Sequence, residues 1–283
     1  MNLFYSSIIS KKKTIDEVFK FFIEKKISNI ELTGGIQYDE NILDKLIFYK
    51  KNYNLNLLIH NYFPSPKKDF VINLSSLDNE IYNLSLSHCI KAIEISKKIK
   101  ATKYAFHAGF LLDLEAEETG NLIKRRKLIN RNNAINRLCE AFTKLVNFSA
   151  GEVDLFIENN VVTLENYNNF SNINPFLLTD KKSYLELKSF IDFNILLDLG
   201  HLNVSSETLK LDINDETNFF LQIAKYIHFS ENNKLKDENL AFSNDNNAYR
   251  HLLKNKLDTK TITLEVKSDF DQIEKLRDKF LKL

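Results

Sequence analysis

A chain of 283 residues with 43% hydrophobic and 27% charged side chains has the make-up of a globule with a sizeable core. Its net charge of +1 gives no basic field for nucleic acid, and no apolar run approaches the ~18 residues of a membrane span. Cys89 and Cys139 show no framework spacing, which excludes a disulfide scaffold and points to a reduced, cytoplasmic protein.

Residues 3–9 read as the first strand, which opens directly from Met1 with no leader. Thr14-Ile-Asp-Glu17 is a capping box that starts a helix running to about residue 26. Residues 27–33 form strand two, ended by Gly34-Gly35, and a helix covers residues 40–51. Strand three, residues 55–59, runs into His60, and a long helix follows over residues 79–98. Strand four, residues 103–106, ends in His107, with an insertion at 110–128 and a helix at 130–148. Strand five, residues 153–157, ends in Glu158; its helix starts after Thr179-Asp180 and runs to about residue 190. Residues 193–197 form an apolar sixth strand that delivers Asp198, Gly200 and His201. A helix near 216–224 precedes strand seven at 225–227, which ends in His228. A helix near 247–256 leads to strand eight at 261–264, which ends in Glu265, and a helix over 269–281 closes the chain.

Eight strands alternating with helices, with no linker or composition break, predict an α/β fold: a single (β/α)8 TIM barrel domain over residues 1–283. A six-stranded doubly wound sheet is the alternative. It needs a Gly-rich loop after strand one, and Ser6-Ser7-Ile8-Ile9-Ser10 is not one.

In a barrel all strand exits meet at one mouth, and here they carry His60, His107, Glu158, Asp198, His201, His228 and Glu265. Four of the six histidines stand at these exits, which packing explains poorly. Buried carboxylates and imidazoles converging on one point repel or carry desolvation costs that a dication removes. Hard oxygens with one imidazole nitrogen suit Mn²⁺, Co²⁺ or Mg²⁺, with Zn²⁺ as a further candidate. His88 and His251 fall in helices and read as packing or surface residues.

The set Ile59-His-Asn61, Phe106-His-Ala-Gly109, Phe156-Ile-Glu-Asn159, Leu197-Asp-Leu-Gly-His201, Ile227-His-Phe-Ser-Glu-Asn-Asn233 and Thr263-Leu-Glu265 resembles the xylose isomerase-like barrels. The resemblance covers essentially the whole chain and is strongest to the sugar phosphate isomerase/epimerase branch, related to ketose 3-epimerases and endonuclease IV-type enzymes. It implies a divalent-metal-dependent isomerase or epimerase acting on a sugar or sugar phosphate through an enediolate. Glu158, Asp198, His228 and Glu265 would bind the metal, and Glu158 and Glu265 would form the acid/base pair. His60, His107, His201, Glu231 and Lys234 would contact substrate. Lys234 stands where this branch usually has Arg, which keeps the charge and loses the planar fork. Barrels of this branch are often dimers or tetramers, so a homo-oligomer is a candidate state.

The competing reading is an endonuclease IV-like phosphodiesterase on abasic DNA, in which His60 and His107 hold further metal ions. It calls for an Asp-x-His pair after strand seven, whereas the comparable segment reads Leu235-Lys-Asp237, and for a basic face that the net charge does not supply. A barrel that binds a ligand without turnover is the third reading. Lys67-Lys68 and Lys124-Arg-Arg-Lys127 would hold a phosphate, or simply form a solvated face.

Overall fold

A computed structural model describes residues 1–241, 251, 257 and 259–280. Eight parallel strands close into a ring in chain order: β1 (Asn2–Ser6), β2 (Asn29–Leu32), β3 (Asn56–His60), β4 (Lys103–His107), β5 (Asp154–Glu158), β6 (Asn194–Asp198), β7 (Tyr226–Phe229) and β8 (Thr261–Leu264). β8 pairs back onto β1, with Leu3 opposite Ile262 and Tyr5 opposite Leu264. This is the expected (β/α)8 barrel.

The helices lie between strands: α1 (Ile15–Glu24), α2 (Ile42–Tyr53), α3 (Asn79–Ile99), α4 (Arg131–Ser149), α5 (Leu164–Asn169), α6 (Lys181–Lys188), α7 (Leu199–Leu209), α8 (Ile213–Ile223) and α9 (Phe270–Phe280). Their starts follow from local chemistry. Thr14 and Glu17 form the predicted capping box of α1, and the carboxylate of Asp78 accepts from the Glu80 and Ile81 amides at α3. The helix expected near 247–256 lies outside the described residues.

Strand alternation divides the apolar side chains into two cores. Tyr5, Ile59, Phe106, Ile157, Leu197, Ile227 and Leu264 point outward and pack under the helices. Phe4, Leu58, Ala105, Phe156, Leu196 and Tyr226 point inward and fill the ring as a separate plug. Six polar residues stand two positions further on, on the same inward face: Ser6, His60, His107, Glu158, Asp198 and His228. The plug is the floor on which these polar side chains rest.

The structure departs from the sequence reading in four places. The first strand ends at Ser6, because Ser7–Ser10 turn as a 3₁₀ helix closed by Ser10 Oγ donating to Ser7 O at 2.8 Å. His60, His107, Glu158, Asp198 and His228 belong to their strands rather than following them. Residues 161–179, between Glu158 and the predicted helix after Asp180, contain the short helix α5. Gly200 and His201, to which the sequence reading assigns no element, lie in the first turn of α7.

Candidate metal centre

The ends of four strands bring Glu158, Asp198, His228 and Glu265 together, with one ligand atom from each lying within 4.8 Å of every other. His228 Nδ1 stands 2.8 Å from Glu265 Oε2, 3.6 Å from Glu158 Oε1 and 3.9 Å from Asp198 Oδ2. Asp198 also caps α7, its Oδ1 accepting from the His201 amide at 2.6 Å, so Oδ2 faces the cluster. Asn159 clamps the two strands beneath: its Oδ1 accepts from the Asp198 amide at 2.7 Å and its Nδ2 donates to Asp198 O at 3.0 Å.

His60 and His107 adjoin the other carboxylate oxygen of Glu158. His60 Nε2 and His107 Nδ1 each stand 3.2 Å from Oε2, and the three residues form a second group with metal-ligand spacing. His201 is held by protein groups on both sides. Its Nδ1 donates to Asn159 O at 2.8 Å, and its Nε2 is 3.4 Å from Asp237 Oδ2. The segment 235–237 therefore does supply an acid at the mouth, although it lacks the Asp-x-His pair.

Glu231 and Lys234 belong to none of the groups with metal-ligand spacing among the described residues. The backbone of Glu231 pairs with Leu240 across a bridge, with hydrogen bonds of 2.9 and 2.7 Å. Lys234 is exposed in the left-handed region at φ 69°, and its charge acts on Glu207. In the basic run, Arg126 is taken by Glu118 at 2.6 Å and Arg125 by Ser171 at 2.7 Å. A cleft of about 650 Å³ opens among the loops after β2, β3 and β4, with Tyr38, Tyr62, Lys67 and Phe70 on its wall. None of the clustered side chains lines it.

The electrostatics of the cluster are those of a site short of positive charge. Burial pushes the Asp198 carboxyl up to about 7, against His201 and with help from Asp237, Glu158 and Glu265. Burial also opposes ionisation of Glu158, but the imidazoles of His107, His60 and His228 outweigh it and hold that carboxyl well below its ordinary range. Burial lowers His228, and Glu31 and Glu265 more than reverse this, so its imidazole is raised well above its ordinary value. His107 is pushed down to about 4 by burial, although Glu158 acts in the opposite sense.

The residues fit a divalent cation. Asp198 Oδ2 faces the cluster, is buried and makes no hydrogen bond, a costly state for a carboxylate oxygen unless something else satisfies it. Three carboxylates and one imidazole form a donor set for a hard or borderline dication.

The sequence reading missed Glu31. It is fully buried inside the ring, with Oε1 2.8 Å from His228 Nε2 and Oε2 accepting from Thr263 Oγ1 at 2.6 Å and from the Tyr226 hydroxyl. The signal was a lone acid between Ile30 and Leu32, in register with the inward Ser6. Ser6 Oγ, Asn61 Oδ1 and Ser230 Oγ were also passed over. All three are buried oxygens without a hydrogen bond, at the ends of β1, β3 and β7.

A family model described as xylose isomerase-like TIM barrel matches residues 27–282. No curated protein matches the chain. Among solved structures, a D-tagatose 3-epimerase-like protein superposes with a TM-score of 0.73 at 16% identity, covering 100% of this chain and 97% of the other. An L-ribulose 3-epimerase gives 0.61 at 15% identity, covering 98% and 86%. Endonuclease IV from Thermus thermophilus gives 0.60 at 12% identity, covering 98% and 97%. At these identities the likeness to each structure is one of fold.

Proposed function

The chain belongs to the xylose isomerase-like TIM barrel family, and from that premise we propose that it is a divalent-metal-dependent isomerase or epimerase of a sugar or sugar phosphate. The observation that carries this reading is the convergence of Glu158, Asp198, His228 and Glu265 at the barrel mouth. These four would hold the metal, with Mn²⁺, Co²⁺ or Mg²⁺ favoured by the three carboxylates. When bound, such an ion polarises a carbonyl oxygen and stabilises negative charge developing beside it.

The protein's own groups supply the proton movements. Glu158, held ionised by its imidazole neighbours, takes the proton from the carbon next to the substrate carbonyl onto its carboxylate. Glu265 returns a proton, to the opposite face of that carbon for epimerisation or to the adjacent carbon for isomerisation. Its side chain is 14% exposed against 1% for Glu158, so it is the member of the pair that exchanges with solvent. The unsatisfied oxygens of Ser6, Asn61 and Ser230 suit a hydroxylated ligand, and His60, His107 and His201 complete the polar wall.

One observation favours a second reading. The group His60, His107 and Glu158 has the spacing for another ion, as endonuclease IV-like phosphodiester hydrolysis would require. Deuterium exchange separates the two. Ketoses, aldoses and their phosphates incubated with Mn²⁺-loaded protein in D₂O will gain deuterium beside the carbonyl, followed by NMR. Glu158→Gln will lower that rate by about 10²- to 10⁴-fold. A Glu158→Gln variant that retains its metal and full exchange would refute the proposal.

A further inference from the structure

Glu31 is a carboxylate in β2, enclosed by the ring and remote from solvent. A carboxylate buried in this way is unfavourable unless it is partnered. Its partners come from β7 and β8, across the barrel interior. Thr263 on β8 and Tyr226 on β7 both donate to Oε2, which leaves Oε1 facing Nε2 of His228 at 2.8 Å.

His228 is thereby placed between acids on both ring nitrogens. On the Nδ1 side stand Glu265, Glu158 and Asp198; on the Nε2 side stands Glu31. An imidazole ligates through one nitrogen only if its remaining proton sits on the other, and a hydrogen-bond partner fixes which. Three carboxylates beside Nδ1 draw the ring proton to the wrong nitrogen, and a carboxylate beside Nε2 opposes that pull.

We propose that Glu31 is a positioning residue for the metal centre: it holds the ring proton of His228 on Nε2 and so presents the Nδ1 lone pair to Glu158, Asp198 and Glu265. This rests on the metal-centre reading above. The alternative, that Glu31 joins His60 and His228 around an ion of its own, has metal-ligand spacing as well. It is disfavoured because one Glu31 oxygen already accepts two hydroxyls, and because His228 would need to serve two ions with no ring proton left.

The test titrates Mn²⁺ into wild type, Glu31→Gln and Glu31→Leu by electron paramagnetic resonance of the free ion, without any sugar. Ring ¹⁵N NMR of the Zn²⁺-loaded proteins is recorded alongside. Glu31→Leu will bind Mn²⁺ about 10- to 100-fold more weakly. Glu31→Gln, which keeps an acceptor and loses the charge, will fall between. Wild type will show His228 as the Nε2–H form, and Glu31→Leu will lose that signature. Should Glu31→Leu not fold, Glu31→Gln and its ring spectrum decide. Affinity within twofold of wild type in a folded variant, with an unchanged His228 spectrum, overturns the proposal. So does loss of one of two bound ions with the affinity of the other unchanged, which makes Glu31 a ligand. Wild type that binds no Mn²⁺ overturns the metal-centre reading itself and takes this inference with it.

Discussion

Asp198 combines two tasks on separate oxygens. Oδ1 caps α7 through the His201 amide, and Oδ2 faces the cluster with no hydrogen bond. Asn is as good a helix cap as Asp, so Asp198→Asn separates the tasks. Wild type will gain about 2.7 kcal/mol of stability when Mn²⁺ is present at 100 times its Kd. Asp198→Asn will fold but gain little from the ion, and Asp198→Ala will lose a further ~1 kcal/mol with the cap. Thermal unfolding with and without MnCl₂ reads all three; an equal gain in Asp198→Asn would remove Asp198 from the ligand set. Most of these side chains were legible from sequence because they follow apolar strand cores. Glu31 was not, because it lies within the apolar run of β2 rather than beyond its end. The inward alternation that carries Ser6 and His60 also carries Glu31, a pattern visible only once the register is known.

At the scale of elements, α3 steadies the exit of β3. His88 Nε2 donates to Asn61 O at 3.2 Å, the Tyr104 hydroxyl donates to the same oxygen at 3.2 Å, and Asn61 takes a left-handed φ of 46° just after His60. Burial pushes the His88 imidazole down to about 4, against the pull of Asn61. A depressed histidine means that the folded state binds fewer protons than the unfolded one. The stability it contributes is therefore complete above about pH 6.5 and is lost as the pH falls through about 4. His88→Gln, which keeps a donor for Asn61 and cannot titrate, will lose about 2 kcal/mol less than wild type between pH 7 and 4.5. Urea denaturation at the two pH values measures this; parallel losses would show that His88 is not the group responsible. The elements the sequence concealed share a cause. α7 is buried along Leu199–Leu202 and again at Val204–Ser206, and includes Gly200, so it shows no apolar stripe from which to read a helix. α5 has six residues, too few for a period.

Across the whole molecule the two ends of the barrel divide their labour. At the end where strands begin, Lys260 is buried and its ammonium donates to Leu221 O at 2.8 Å and Ala224 O at 2.6 Å, closing α8 onto the start of β8. That contact serves stability. At the other end the strands deliver acids and imidazoles above the apolar plug, and residues distant in sequence become one cluster only because β8 returns to β1. No described helix is long and apolar enough to cross a membrane. The claim on which the account rests is that four strand ends share one dication, and anomalous diffraction from crystals grown with MnCl₂ tests it most directly. The account predicts a manganese peak enclosed by Glu158, Asp198, His228 and Glu265. A map with no peak there, or with the ion bound elsewhere and those four side chains turned apart, would contradict it.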